Sequence, residues 1–556
     1  MTETTAPIAK DPRTSTAARI GWTILILATL YVCYFSHLGA IGFVGPDEPR
    51  YAWIARDMAE TGDWVTPRLY GKPWFEKPVL YYWGAALCFK LFGVSEAAAR
   101  LPSAISALLA TLGLAWLALR LYGAETARWL LLLLPTTVGM IGFSHAAATD
   151  MPFSGMLTIA MVCAAVVLGL TRNENTPILP RTPWLAHILF GFFLGLAVLA
   201  KGPAAIILSG GAIFFWALIT KRWRDAFRLF HPAALVSFCL TALPWYILCA
   251  RRNPDFFRIF IIEHNFKRYL TPEFQHIQPF WFYIPILALG LLPWTPIFFS
   301  VLMDLTRNWS VRADSSSVYA SCWAALPVVF FSASKSKLPG YVLPSVFPLA
   351  LLLAHSISAR VQKSFPGERW IGVASGTAVL GMIAVAFARL PFAVDYSPAW
   401  PFFLVEPLAP LTAIAAIALG LRGRSSLALI VSALCLLFTL GVGLTGEASW
   451  MLDRRTSARW ATTVPEGLSR EYWVTHVATY KLQRSFQYGL NFYIRNEVPE
   501  WSKNTSERSW VFTTPGEMSE LRAMGLECPH LMNLPSVVVC EVGKSADSHR
   551  RSGQPH

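Results

Sequence analysis

Charged residues cluster where apolar stretches of this chain end, and their types and spacing could do chemistry. Gly45-Pro-Asp-Glu-Pro-Arg-Tyr51 sets two adjacent carboxylates, Asp47 and Glu48, where the first apolar block stops, with Arg50 and Tyr51 close behind. Capping alone explains such a pair: Asp47 could close a helix N-terminus and Glu48 favour its dipole. Trp74-Phe-Glu-Lys-Pro78 then places Glu76 and Lys77 just before another apolar segment. A third carboxylate, Asp150, opens a further apolar run after His145 and Thr149, and it too could be a cap. Cations join them: Lys201 between two apolar runs, Arg268, and Lys335 and Lys337 ahead of Pro339-Gly-Tyr341. Ionised groups at membrane depth are costly unless they serve a site. Three carboxylates and several cations at one membrane face suit an anionic, phosphate-bearing lipid whose head group reacts there.

The elements that must position these residues are membrane helices. Hydrophobic residues are 54% of the 556 and charged residues only 14%, roughly half the usual charged share. Mean hydropathy is +0.45. Apolar stretches long enough to span fall near 20–44, 98–121, 125–144, 150–170, 183–200, 202–220, 231–250, 279–302, 316–333, 338–359, 369–389, 399–421 and 424–445, about thirteen spans by length. The block at 79–93 is shorter and reads as re-entrant or interfacial. The first block lacks a cleavage site and is expected to stay as a membrane helix.

Alternate loops carry the cations: Arg120 and Arg128; Arg172 and Arg181; Lys221, Arg222, Arg224 and Arg228; Arg307 and Arg312; Arg360, Lys363 and Arg369; Arg422 and Arg424. Together with the segment 1–19 they mark the cytoplasmic side. Every candidate site residue then falls on the opposite, extracytoplasmic side, in the loops 44–78 and 251–279 and at helix ends. An amphipathic helix is expected over 48–60, with Ile54 and Met58 on its apolar face, before Gly62, Pro67, Gly71 and Pro73 break the chain. After the membrane domain 20–446, residues 447–545 read as a small extracytoplasmic α+β domain with β-prone runs at 472–476, 510–514 and 536–542. Residues 546–556 read as a disordered tail.

Net charge is +14, but the cations sit between apolar blocks rather than in a nucleic-acid footprint, which excludes that partner. The nine cysteines show no CxxC pair. Seven lie in or beside apolar segments as inert filling. Cys528 and Cys540, in the polar tail, are spaced to allow a disulfide outside the cytoplasm.

Asp-Glu-x-Arg-Tyr, Gly62-Asp63-Trp64 and Phe-Glu-Lys-Pro resemble the first periplasmic loop of the aminoarabinose lipid A transferases. These belong to the protein O-mannosyltransferase-like superfamily of GT-C glycosyltransferases. Thr149-Asp150, Ala200-Lys201-Gly202, Pro244-Trp245, Glu263-His264, Pro293-Trp294 and Ser336-Lys-Leu-Pro-Gly-Tyr-Val-Leu-Pro344 follow in order. The chain departs from that family in Asn-Phe-Lys-Arg after Glu263-His264, and in Gly340 before Tyr341. The resemblance implies a GT-C-type helical bundle in a bacterial inner membrane. Its donor would be a sugar on undecaprenyl phosphate, and its acceptor lipid A or another envelope molecule at the periplasmic face. No Asp-x-Asp is present, as a monophosphate donor permits. Asp47 would then be the general base of an inverting displacement, with Asp150 holding a substrate or steadying positive charge on the sugar ring. Lys77, Arg50, Arg268 or Lys337 would neutralise the departing phosphate; Lys201, Tyr51 and Tyr341 would also face the substrates, and Glu48 or Asp150 would pair with an aminosugar ammonium. No cofactor is required for the chemistry. The resemblance also suggests a structural zinc bridging Glu76 and His264, against a plain Glu–His contact or none.

Three rivals have other signatures. Transfer to another lipid, a polymer or a protein would use the same site. A transporter would place charges near the midplane in repeated, broken helices, whereas here they sit at the rim and no repeat is visible. A non-catalytic binding protein would bind the lipid without turnover.

Overall fold

The computed structural model describes residues 16–171, 183–270, 277–299, 314–363, 368–389, 400–443, 447–460, 469–502, 510–524, 531–533 and 537–541. Apolar runs become helices, because in a bilayer a helix satisfies its own backbone groups. In chain order these are α1 (Thr16–Tyr34), α2 (Asp47–Thr61), α3 (Leu80–Phe92), α4 (Glu96–Tyr122), α5 (Ala124–Leu133), α6 (Val138–Ser144), α7 (Asp150–Val167), α8 (Pro183–Lys201) and α9 (Ala204–Thr220). Helices Pro232–Arg252, Ser315–Ala333, Leu343–Lys363, Glu368–Arg389, Trp400–Leu421 and Ser425–Gly443 complete the bundle. Among the described residues nine helices are long and apolar enough to cross a membrane, and α5 with α6, bent by 64°, would make a tenth. The chain is therefore a mainly helical, multi-span membrane protein. The expected span at 279–302 contains the eight-residue helix Tyr283–Gly290, and the count of about thirteen stays an expectation.

Described residues beside several of the cation-bearing loops come together, Tyr122 Oη lying 3.3 Å from Ser317 Oγ. Arg222 donates to the Leu168 carbonyl at 2.9 Å and to Ser315 Oγ at 3.1 Å. Tyr122 stacks on His355 with ring centroids 3.8 Å apart. Five stretches far apart in sequence thus meet at one end of the bundle.

At the other end lies α2, which buries Ile54 and Met58 as its pattern predicts. It stops at Gly62, whose φ of 74° few side chains tolerate, and the Gly62 N–H returns to the Met58 carbonyl at 3.1 Å. A two-stranded hairpin follows, β1 (Arg68–Leu69) against β2 (Lys72–Pro73). The block at 79–93 is the helix α3.

The C-terminal domain carries a four-stranded sheet of β3 (Val477–Thr479), β4 (Trp510–Thr513), β5 (Leu531–Asn533) and β6 (Val538–Glu541), in the order β3-β4-β6-β5. The β3–β4 pair is parallel and the others antiparallel. Alternation along β4 sends Trp510 and Phe512 into one core and Val511 into another, so both faces of the sheet are covered. The run 472–476 is helical rather than extended, because Ser469 caps the helix Arg470–His476 by accepting from the Tyr472 N–H at 3.1 Å. Capping overrides β propensity there. Cys540 is disulfide-bonded; Cys528, its expected partner, lies outside the described residues.

Candidate active site

Helix geometry explains how Asp150 and Lys201 meet. α7 and α8 pack as neighbours, so the start of one lies beside the end of the other. Asp150 opens α7, and Lys201 closes α8 where the helix dipole favours a cation. Gly202, at φ 87°, and Pro203 then stop the helix at that level. The Lys201 ammonium reaches Asp150 Oδ1 at 2.5 Å and lies 4.8 Å from the centre of the Tyr341 ring. Gly340 is required here, since a Cβ would overlap the Asp150 carboxylate. The departure at Gly340 thus has a steric reason in the chain itself.

Asp47 does not act as a cap. It is the first residue of α2, and its carboxylate accepts from Arg50 Nη2 at 2.5 Å. Arg50 Nη1 meets Glu76 Oε2 at 3.2 Å, and Lys77 Nζ lies 3.5 Å from Glu76 Oε1. Burial raises the Asp47 pKa above its ordinary value; Glu76 and Asp150 add to the rise, while Arg50 and Lys77 oppose it. The two ion-paired groups are therefore one electrostatic neighbourhood. Its cations thus favour the ionised form against burial, and the carboxylate remains half-exposed.

Beside it lies a cavity of about 370 Å³ lined by Lys77, Lys201, His264, Tyr341, Ser334, Ser336 and, for the rest, residues such as Ile207, Leu270, Phe330 and Phe331. His264 comes from a π-helix, Arg258–Lys267, a form frequent at functional sites. Lys77 and His264 bring the two expected loops to one wall. The pair Glu76 and His264 does not by itself build a zinc site. Among the described residues no group of three or more His, Cys, Asp or Glu stands together, and Glu76 already faces two cations.

Other expected residues sit elsewhere. Glu48 is a correction: it is 7% exposed, and its oxygens accept from Arg100 Nε (3.0 Å), Arg100 Nη2 (2.7 Å), the Val44 N–H (2.7 Å) and the Ala147 N–H (2.6 Å). So occupied, it ties α2 to α4 and to the loop before α7 and is not available to an aminosugar. Tyr51 is buried, with Arg50 against its ring at 5.2 Å. Lys337 is buried and donates to the Ser334 carbonyl. Arg268 begins a short helix, Arg268–Leu270, and its side chain lies outside the described residues.

Sequence reading misses Arg100. All five of its N–H groups are used, on Glu48 and on the carbonyls of Leu38 (2.8 Å), Ile41 (2.7 Å) and Gly42 (2.9 Å). The signal is present: an arginine at the mouth of an apolar helix demands a partner.

Comparison with known proteins agrees with this architecture. Residues 20–260 match the family described as dolichyl-phosphate-mannose-protein mannosyltransferase. Undecaprenyl phosphate-alpha-4-amino-4-deoxy-L-arabinose arabinosyl transferases are similar to this chain: that of Erwinia tasmaniensis is 35% identical over 64% of this chain and 62% of its own length, short of two thirds. That of Edwardsiella ictaluri is 33% identical over 68% of this chain and 67% of its own. Among solved structures, ArnT from Cupriavidus metallidurans, bound to undecaprenyl phosphate, superposes with a TM-score of 0.72 at 25% identity, covering 94% of this chain and 98% of that one. The chain belongs to the family of the undecaprenyl phosphate-aminoarabinose arabinosyl transferases.

Proposed function

We propose that the protein transfers 4-amino-4-deoxy-L-arabinose from undecaprenyl phosphate to a phosphate of lipid A at the periplasmic face of a bacterial inner membrane, inverting the anomeric carbon. The observation that carries this reading is the cavity in which Lys77 and Lys201 stand in an otherwise largely apolar wall. A polyprenyl monophosphate offers a matching anionic head and apolar tail. The alternation of cationic loops along the sequence supports a periplasmic placement of the site.

In the transfer, an acceptor oxygen attacks the anomeric carbon as Asp47 takes its proton. The bond from that carbon to the lipid phosphate breaks, and the phosphate leaves with the electron pair, its charge met by Lys77 and Arg268. Asp150, aimed by Lys201, holds a substrate or steadies positive charge on the ring. Tyr341 shapes the wall beside Lys201, and Lys337, bonded to the Ser334 carbonyl, fixes the segment that leads to it. None of these steps asks for a cofactor, and a zinc ion at Glu76 and His264 would be structural. Transfer to another lipid, a polymer or a protein shares the chemistry and differs in the acceptor.

Lipid A mass spectrometry with and without the gene tests the reading. An added pentosamine that depends on the gene is expected. Unmodified lipid A in cells that make both the protein and its donor would sink the acceptor assignment. Absence of any transfer from donor lipid in liposomes would sink the enzyme.

A further inference from the structure

Arg50 is held by more than its two carboxylates. Its N–H edge serves Asp47 at 2.5 Å and Glu76 at 3.2 Å, and aromatic rings stand close around the guanidinium carbon. Tyr51 lies at 5.2 Å, Trp74 at 5.3 Å and Tyr488 at 5.6 Å, measured to the ring centres. A planar guanidinium pairs with carboxylates through its edge and with aromatic rings through its faces. Tyr51 and Trp74 belong to the loop that carries Asp47 and Glu76. Tyr488 belongs to the C-terminal domain, on the helix Arg484–Ile494.

We propose that Tyr488 is a positioning residue of the transfer site: its ring closes an aromatic cage that holds the Arg50 guanidinium between Asp47 and Glu76. The inference rests on the reading of Asp47 as the base. The ring is placed by contacts that do not involve Arg50. Asn491 donates to the Tyr70 hydroxyl of the hairpin at 2.8 Å, and Arg56 of α2 donates to the Phe492 carbonyl at 3.1 Å. The Phe43 N–H donates to the Tyr493 hydroxyl at 2.9 Å, which itself donates to Glu96 at 2.8 Å. Three consecutive residues of this helix, beginning three positions after Tyr488, thus tie it to the hairpin, to α2, to the linker before α2 and to the start of α4, so the domain builds the site rather than merely adjoining it. Without the ring, Arg50 gains freedom to swing, and Asp47 loses its aim. The donor, seated against Lys77 and Lys201, keeps its binding.

The test measures kcat and donor KM for the full-length protein in liposomes with a polyprenyl-phosphate aminosugar. Tyr488→Ala and Tyr488→Leu, the second keeping apolar bulk, should each lose roughly tenfold in kcat with donor KM nearly unchanged. Tyr488→Phe, which keeps the ring face, should restore kcat. An Asp47→Asn variant runs beside them. Full turnover in Asp47→Asn overturns the base assignment and the Tyr488 role with it. An inactive Asp47→Asn beside wild-type kcat in both Tyr488→Ala and Tyr488→Leu overturns the Tyr488 inference alone, as does a loss in Tyr488→Phe equal to that in Tyr488→Ala.

Discussion

Asp47 shows how one residue type yields opposite readings until its partners are known. As a cap it would be replaceable by asparagine; as a base it would not. The geometry, with its carboxylate on Arg50 and half-exposed, argues for the base, so Asp47→Asn should lower turnover by about 10²–10⁴-fold with donor still bound. Near-normal turnover would move the role to Asp150. Because burial lifts the Asp47 pKa, the proton is lost at higher pH than from an ordinary aspartate. The acid limb of kcat/KM against pH should therefore lie above that of an ordinary aspartate and vanish in Asp47→Asn. Lys77→Ala, at the cavity wall, should weaken donor binding as well as slow leaving-group departure, a different split of KM and kcat. Gly340→Ala, whose Cβ would overlap the Asp150 carboxylate, should displace it from Lys201 and cost roughly 10²-fold in transfer, measured by turnover in a variant that still folds.

At the scale of elements, the pin between α2 and α4 decides how firmly the first loop is held. Arg100 and Glu48 are both buried with their hydrogen-bonding groups satisfied. Removing one partner leaves the other as a buried, unpaired charge. Arg100→Ala should therefore cost about 3–5 kcal/mol, read as a lowered melting temperature in detergent, and Glu48→Gln should also lower it, because the amide nitrogen would face N–H donors and leave the Arg100 charge unpaired. A melting temperature unchanged in Arg100→Ala would show that α2 is held some other way. The helix α2 itself is legible in the sequence: its apolar spacing and Gly62 set both ends within a residue of what is found. The helix at 470–476 is not, since its cap at Ser469 outweighs the β-prone residues that follow.

Over the whole molecule, the C-terminal domain sits on the linker between α1 and α2. Gly42 donates to Asp453 at 2.6 Å, and Arg459 donates to the carbonyls of Gly39 (3.1 Å) and Ala40 (2.9 Å) while pairing with Asp453 at 2.7 Å. A Cβ at Gly42 would overlap the Ser457 hydroxyl, so that glycine permits the close approach. The domain and the site must then share one compartment. An alkaline phosphatase fused after Ser548 should be active, since the reporter needs an oxidising space for its disulfides. A well-expressed but inactive fusion would reverse the orientation of every loop.

What the sequence determined by itself was what local composition dictates. Long apolar runs must become membrane helices, alternate cationic loops must share a face, and the ordered motifs from Asp47 to Tyr341 mark the family. Local pattern also flagged the charged residues, because an ionised group beside a membrane helix is conspicuous wherever the chain goes. Tertiary structure alone decided their partners. Glu48 and Asp47 are adjacent in sequence, yet a helix turns them in different directions, one to Arg100 and the other to Arg50. Lys201 found Asp150 because α7 and α8 are antiparallel, and Tyr488 reached Arg50 because a distant domain docks on the loop. Such pairings depend on how faces pack, and packing is a property of the assembled chain that no local stretch encodes.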